Sequence, residues 1–112
     1  MSKGGSRLAV TVRRVREGGL SGGGVELSLC KARRVRISSE RSPSELRAMQ
    51  PAYLAVERGD VIIRRGAGVI AVVLTEVAEI RACIEEHGVR FEADLPRTTN
   101  EMVVPVRPLE AR

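Results

Sequence analysis

Aromatic residues are nearly missing from this sequence of 112 residues, which has one tyrosine, one phenylalanine and no tryptophan. Proteins that bind single-stranded nucleic acid commonly stack the unpaired bases on several aromatic rings. Tyr53 and Phe91 alone are too few for such a platform. The composition therefore argues against stacking on single strands and leaves contacts to a duplex backbone as the expected mode of any nucleic-acid binding.

Histidine and cysteine, which supply many metal and covalent-catalysis sites, are also scarce, with one histidine and two cysteines. Cys83 and His87 share one face of a predicted helix, but zinc requires three or four ligands. No nucleophile-elbow motif accompanies the histidine, and no carboxylate stands at motif spacing to orient it. We therefore expect no metal, no cofactor, no small-molecule substrate and no enzymatic activity.

The two cysteines, Cys30 and Cys83, fit neither a disulfide framework nor a Cys-x-x-Cys site, which predicts free thiols in a reducing compartment. Long apolar runs are missing too, because the longest, residues 69–74, is far short of the roughly 20 residues of a membrane span. Residues 1–5 are followed by arginines instead of the apolar stretch of a secretory signal. A single-domain cytoplasmic protein without membrane attachment is the expectation.

Arginine is what the sequence has in quantity, supplying 17 of the 19 basic residues and a formal net charge of +5. Residues 1–41 hold ten basic and three acidic residues, whereas the remainder carries a net charge of −2. The planar guanidinium matches phosphate oxygens bidentately, which favours a polyanionic partner. A solvated surface shaped only by codon bias is the competing interpretation of the charge.

The N-terminal third predicts β-structure. Residues 7–15 alternate as a half-buried strand with a basic outer face, and a glycine-rich loop follows at residues 18–24. The alternation returns at residues 25–29, breaks, and resumes with Val35 and Ile37. This pattern predicts either two strands or one strand with a bulge.

Residues 44–57 have two interpretations. Ser42 and Pro43 are typical of a helix start, and the preferred prediction is helix over residues 44–57, either kinked at Pro51 or divided there into two short helices. In the alternative, residues 52–57 form a strand that turns at residues 58–60 into a second strand at residues 61–64.

The next segment predicts a buried strand over residues 60–65 and a turn at residues 66–68. A helix is then predicted over residues 69–87, ended by Gly88. Its apolar stripe has helical spacing and consists of Val73, Val77, Ile80 and Ile84. Residues 89–95 and 102–107 predict two final strands joined by a polar hairpin tip, with Pro105 marking a sheet edge.

This order of elements predicts an α/β (α+β) two-layer sandwich with both helices on one face. Three stretches of the sequence are informative together: Arg41-Ser-Pro-Ser-Glu-Leu, the run from Val56 through Arg64-Arg65-Gly66-Ala67-Gly68, and Glu76-Val-Ala-Glu-Ile. They resemble the Alba superfamily of chromatin and RNA-binding proteins, which includes stage V sporulation protein S. The resemblance implies a β-α-β-α-β-β domain at residues 35–112, preceded by a basic, glycine-rich β extension at residues 1–34.

The resemblance also implies a dimeric nucleic-acid binder, with contacts from the loop after the first strand, the turn before the second helix and the final hairpin. The matching positions are Arg41, Arg64, Arg65 and Arg97. The basic N-terminal third adds Arg33, Arg34 and Arg36 as a predicted phosphate-contacting face. A homodimer is expected independently, because an edge at Pro105 and the apolar residues 69–74 would leave apolar surface uncovered.

The predicted function is therefore binding to the phosphate backbone of duplex DNA or structured RNA with little sequence specificity. The alternative is a non-enzymatic protein-interaction or assembly module, or a subunit of a ribonucleoprotein complex, in which the acidic second predicted helix faces another subunit.

Overall fold

A closed barrel of six antiparallel strands forms the centre of the computed structural model, which describes residues 29–109. The strands are β1 (Arg33–Ser38), β2 (Ala52–Glu57), β3 (Asp60–Arg65), β4 (Gly68–Val73), β5 (Phe91–Ala93) and β6 (Val103–Pro108). Around the barrel their order is β1-β4-β3-β2-β5-β6, and β6 pairs with β1 to close it. The predicted α/β (α+β) two-layer sandwich is therefore wrong, and so is the β-α-β-α-β-β order of elements that the Alba resemblance implied.

Two helices and one 3-10 helix complete the described chain. They are α1 (Pro43–Arg47), α2 (Val77–His87) and the 3-10 helix Leu95–Arg97. The predicted strands at residues 7–15 and 25–28 and the loop at residues 18–24 lie outside the described residues. No helix within residues 29–109 is long and apolar enough to cross a membrane.

Buried residues at alternate positions of the strands form the core of the barrel. In β1, Val35 and Ile37 are buried while Arg34 and Arg36 are exposed, which confirms the strand predicted from their spacing. Paired residues of antiparallel strands point to the same face, so the register carries this inward set around the barrel. Its members are Val35, Ile37, Ala52, Leu54, Val61, Ile63, Ala71, Val73, Phe91, Ala93, Val104 and Val106.

The β2–β3 hairpin confirms the alternative interpretation of residues 52–64, and the preferred helix over residues 44–57 is wrong. α1 ends at Arg47, and β2 pairs with β3 over its whole length. The turn residues Arg58 and Gly59 both have positive φ, 53° and 85°, as a two-residue type I′ turn requires. Burial of alternate residues in β2 outweighs the helical propensity of the segment.

The β3–β4 hairpin replaces the first part of the predicted helix over residues 69–87. Gly66, with φ of 61°, opens a two-residue turn into β4, where glycine tolerates this conformation. The apolar run of β4 is rich in β-branched residues and pairs with β3 on one side, so the helix begins only at Val77. Gly88, with φ of 65°, ends α2 as predicted.

The helices pack against the barrel through a few fully buried side chains. α2 contacts β2 and β3 and buries Ile80. α1 contacts the 3-10 helix, and Leu46 and Leu95 are both fully buried. Arg47 fixes this contact, because its Nε donates to the Thr98 carbonyl at 2.8 Å and its Nη2 to Asn100 Oδ1 at 2.5 Å.

Pro105 does not mark a sheet edge, because β6 pairs with β1 on one side and with β5 on the other. The proline is tolerated for a local reason. β5 ends at Ala93, and the Pro105 carbonyl accepts from the Asp94 N–H at 2.8 Å just beyond that end. The backbone nitrogen and carbonyl of a strand residue face the same neighbour. The Pro105 nitrogen therefore faces the region beyond the end of β5, where the β5–β6 ladder needs no donor from it.

Arg58 offers a test of the hairpin assignment. Left-handed backbone costs most residues about 1–2 kcal/mol, whereas asparagine adopts it readily. We expect Arg58→Asn, which creates an Asn-Gly turn, to raise the free energy of unfolding by about 1 kcal/mol. Urea denaturation followed by circular dichroism measures this. Arg65→Asn, at an exposed strand position, is the matched control and gives no increase; equal effects of both substitutions contradict the type I′ turn.

Candidate nucleic-acid interface

Arg34 and Arg36 lie side by side on the outer face of β1. Both are exposed, and their partners on β6 are Pro105 and Val103, which carry no charge. Within residues 29–109 neither guanidinium forms an ion pair. Residues two apart in a strand are separated by roughly 7 Å. The strand therefore holds two uncompensated positive charges at a fixed spacing.

Arg107 extends this surface on β6. It is two residues beyond Pro105, which places it diagonally from Arg34 on the same outer face, and its guanidinium binds Glu92 of β5. An open cavity of about 400 Å³ lies here, lined in part by Arg34, Asp94, Pro105 and Arg107. We call the surface formed by Arg34, Arg36, Val103, Pro105 and Arg107 the β1–β6 basic face.

Arg33 is separated from this face, contrary to the prediction that it belongs with Arg34 and Arg36. Its side chain is only 8% exposed, and Nη1 lies 2.6 Å from Glu76 Oε1. Glu76 precedes α2 with φ of 58° and makes no side-chain cap on the helix. The Arg33–Glu76 ion pair thus links the start of β1 to the start of α2, and Arg33 has a structural partner in place of a phosphate.

Arg41 lies beyond the end of β1 in the loop that leads to α1. It is exposed and lines a groove of about 720 Å³. The other lining residues are Ser38, Ser39, Glu40, Glu45 and residues 69–72 of β4. Ser39 holds the loop against β4, because its Oγ donates to the Ile70 carbonyl at 2.6 Å and accepts from the Arg41 N–H at 3.0 Å.

Arg64 and Arg65 lie at the end of β3, and the structure gives them different roles. Arg64 forms an ion pair with Glu57, and its Nη2 donates to the Ala67 carbonyl at 2.8 Å. Arg65 is exposed and forms no ion pair within the described part of the chain. Residues 66–68 connect two strands, so the predicted turn before the second helix is a turn between β3 and β4.

Arg97 lies in the connection of the β5–β6 hairpin, as predicted, where it ends the 3-10 helix Leu95–Arg97. Its side chain is 79% exposed, and Nε lies 3.5 Å from Asp94 Oδ2. Of the seven predicted contact residues, only Arg34 and Arg36 are brought together on one strand face. Arg107 is absent from the predicted set, although its spacing of two from Pro105 in a predicted strand could have placed it on their face.

The cysteines correct another prediction. Cys30 and Cys83 are both disulfide-bonded, so the expected free thiols are wrong. Two cysteines in a short chain lack the repeated spacing that identifies disulfide frameworks, so no sequence signal announces that they are oxidised. Cys83 is consequently no thiolate ligand beside His87. Among residues 29–109 no group of three or more histidine, cysteine or acidic side chains is placed to hold a metal ion.

The loop of Arg41 is fixed at its far end by a capping box. Ser42 Oγ accepts from the Glu45 N–H at 3.1 Å, and Glu45 Oε1 accepts from the Ser42 N–H at 2.7 Å. The hydrogen bonds with Ser42, first the one from its backbone N–H, lower the pKa of the Glu45 carboxyl from its ordinary value, and the positive charge of Arg41 adds a smaller contribution in the same direction. The ionised carboxylate is therefore the form that holds the loop.

Glu45 gives this loop a pH dependence. A carboxyl whose pKa is lowered by folding stabilises the protein above its ordinary pKa, and the contribution disappears as the pH falls through the lowered value. We expect Glu45→Ala to lower Tm at about pH 7 and to lose this effect near about pH 2. Glu86→Ala, which removes an exposed carboxylate of α2 that has no ion pair within residues 29–109, is the control. A decrease in Tm that is the same at both pH values contradicts the role of the ionised carboxylate.

The disulfide gives a direct chemical prediction. Denatured protein treated with iodoacetamide should remain unmodified without reductant, because no thiol is free. After reduction both cysteines should be alkylated, and the intact mass reports each result. Alkylation of both before reduction contradicts the bond.

Comparison of the chain with known proteins finds no match to any protein-family model, curated protein or solved structure. The resemblance to the Alba superfamily accordingly stays a hypothesis from sequence.

Proposed function

We propose that this protein binds nucleic acid through the phosphate backbone, using the β1–β6 basic face as its primary contact surface. The observation that carries the proposal is the adjacency of Arg34 and Arg36, both exposed and both without an ion pair within residues 29–109. Other arginines, such as Arg33 and Arg64, have carboxylate partners that neutralise them. The two β1 guanidiniums keep their full hydrogen-bonding capacity for an external anion.

A phosphate ligand fits the chemistry of this face. Arginine offers a planar fork of N–H donors that binds phosphate oxygens bidentately. The neighbouring Val103 and Pro105 supply no polar group that reads a base edge. Contacts of this kind position a duplex without reading its sequence, so we propose weak sequence preference and affinity governed by counterion release.

Arg41 and Arg65 are proposed as secondary contacts. Ser38 lies on the outer face of β1, two residues beyond Arg36, and lines the groove that Arg41 also lines. The groove therefore lies next to the β1–β6 basic face, at the end of β1. Arg65 pairs with Gly68 at the start of β4, next to Val69 of the groove. A nucleic-acid backbone that follows β1 from Arg34 would reach this end of the barrel.

The proposed setting is the cytoplasm, and the protein is proposed to bind rather than catalyse. The disulfide-bonded cysteines weaken the case for this location, because the expectation of a reducing compartment rested on free thiols. Disulfides are rare in reducing cytosol, although intracellular proteins of hyperthermophiles are an exception. A cytoplasmic location therefore requires a cell that tolerates this bond.

Glutamine substitution tests the proposal, since it removes charge while keeping a polar side chain. We expect Arg34→Gln with Arg36→Gln to raise Kd for duplex DNA and duplex RNA by about tenfold or more at low salt. The slope of log affinity against log salt should fall by about two, one for each phosphate that is no longer neutralised. Fluorescence anisotropy over a range of salt concentrations measures both quantities.

Arg81→Gln is the control for the general loss of positive charge, because Arg81 lies on α2 and pairs with Glu85. Arg81→Gln should change the slope of log affinity against log salt much less than the Arg34→Gln, Arg36→Gln double variant does. Equal slopes for the wild type and the double variant contradict binding through β1. Absence of binding to either duplex at low salt contradicts the proposed function as a whole.

A further inference from the structure

The barrel is closed, yet part of one strand has an open edge. β1 is in register with β4 only through Ile37 with Val73 and Ser38 with Val72. The ladder then stops, since β1 ends at Ser38 while β4 reaches back to Gly68. Over residues 68–71, β4 has no strand partner on the β1 side within the described part of the chain. The Ser39 hydroxyl satisfies only one backbone group there, the Ile70 carbonyl.

This edge carries neither a charged residue nor a proline, and the loop held by Ser39 contacts it only at the Ile70 carbonyl among the hydrogen bonds of residues 29–109. Natural edges carry charged residues or proline, which discourage the approach of another strand. β4 has the sequence Gly-Val-Ile-Ala-Val-Val, without a charge or a proline. Val69, near the start of this edge, is 49% exposed. An apolar, β-branched edge without a charge or a proline is a template for strand addition.

We infer that a second copy of this chain covers the edge, by antiparallel pairing of the two β4 strands about a twofold axis. Two copies of one strand that pair across a twofold axis run antiparallel, and both copies contribute the same residues to the interface. The residues around the paired strands must therefore be complementary to the same residues of the other copy.

The rim of the β4 groove has that property. Glu40 and Arg41 both line it, both are exposed, and neither forms an ion pair within residues 29–109. Glu45, the other carboxylate of the groove, is already bound to the Ser42 N–H. A twofold axis through the groove brings Glu40 of each copy toward Arg41 of the other. The adjacent opposite charges therefore favour a second copy over a partner of uniform charge.

This interface does not depend on the proposed nucleic-acid function, because the test uses no nucleic acid. Sedimentation equilibrium of the full chain at about 100 µM should give twice the chain mass of 12.2 kDa. Val69→Lys should raise the dimer Kd by at least about tenfold, since it places a desolvated charge at the edge. Val103→Lys, the same change on the outer face of β6, should leave the Kd unchanged.

A charge exchange separates a loss of pairing from a loss of folding. Glu40→Arg and Arg41→Glu should each weaken the homodimer through like-charge repulsion. A mixture of the two variants should restore association as a heterodimer, because each copy then supplies the charge that the other lacks.

Three results would each overturn the inference. One is a single species at the monomer mass, which includes the case in which other residues of the same chain occupy the edge. The second is an equal Kd for Val69→Lys and Val103→Lys. The third is a mixture of the Glu40 and Arg41 variants that associates no better than either variant alone.

Discussion

Closure of the barrel depends on β1, which alone joins β4 to β6. Its two inward residues, Val35 and Ile37, are almost fully buried, and its backbone pairs with both neighbours. The inward positions are fixed by the hydrophobic effect, and strand geometry then fixes the outward ones. Arg34 and Arg36 are therefore held outward as firmly as the core is held inward. The strand that completes the barrel also presents two arginines that form no ion pair within residues 29–109.

The same strand explains why the β1–β6 basic face lies close to the proposed dimer edge of β4. β1 is too short to cover all of β4, so its last residue leaves an open edge beside the loop that carries Arg41. One face of β1 is suited to phosphate, and the space beyond its end is suited to another strand. These features correspond to the two classes of function that the sequence left open, a nucleic-acid binder and an assembly module. The proposed phosphate-binding face and the proposed dimer edge lie next to each other, and both proposals use Arg41, which cannot pair with a phosphate and with Glu40 of a second copy at the same time.

Local patterns predicted the elements that depend on local chemistry. The strand at Val35 and Ile37, the Ser42 helix start and the Gly88 helix stop all appear as expected. Periodicity failed where two interpretations share the same residues. The spacing from Val73 to Ile84 fits a helix, but Val73 is a strand residue whose partners lie far away in the sequence. Pairing between distant strands leaves no mark in a local window, so the closed barrel could not be deduced.

The loop that carries Arg41 is ordered before any ligand arrives. The Ser39 hydroxyl ties it to β4 at one end, and the reciprocal bonds of Ser42 and Glu45 fix it at the other. Its backbone entropy is thus lost on folding, whereas a disordered loop loses that entropy on binding. An anion or a carboxylate that meets Arg41 has only the side chain to immobilise. Weak individual contacts at this position can therefore yield measurable affinity.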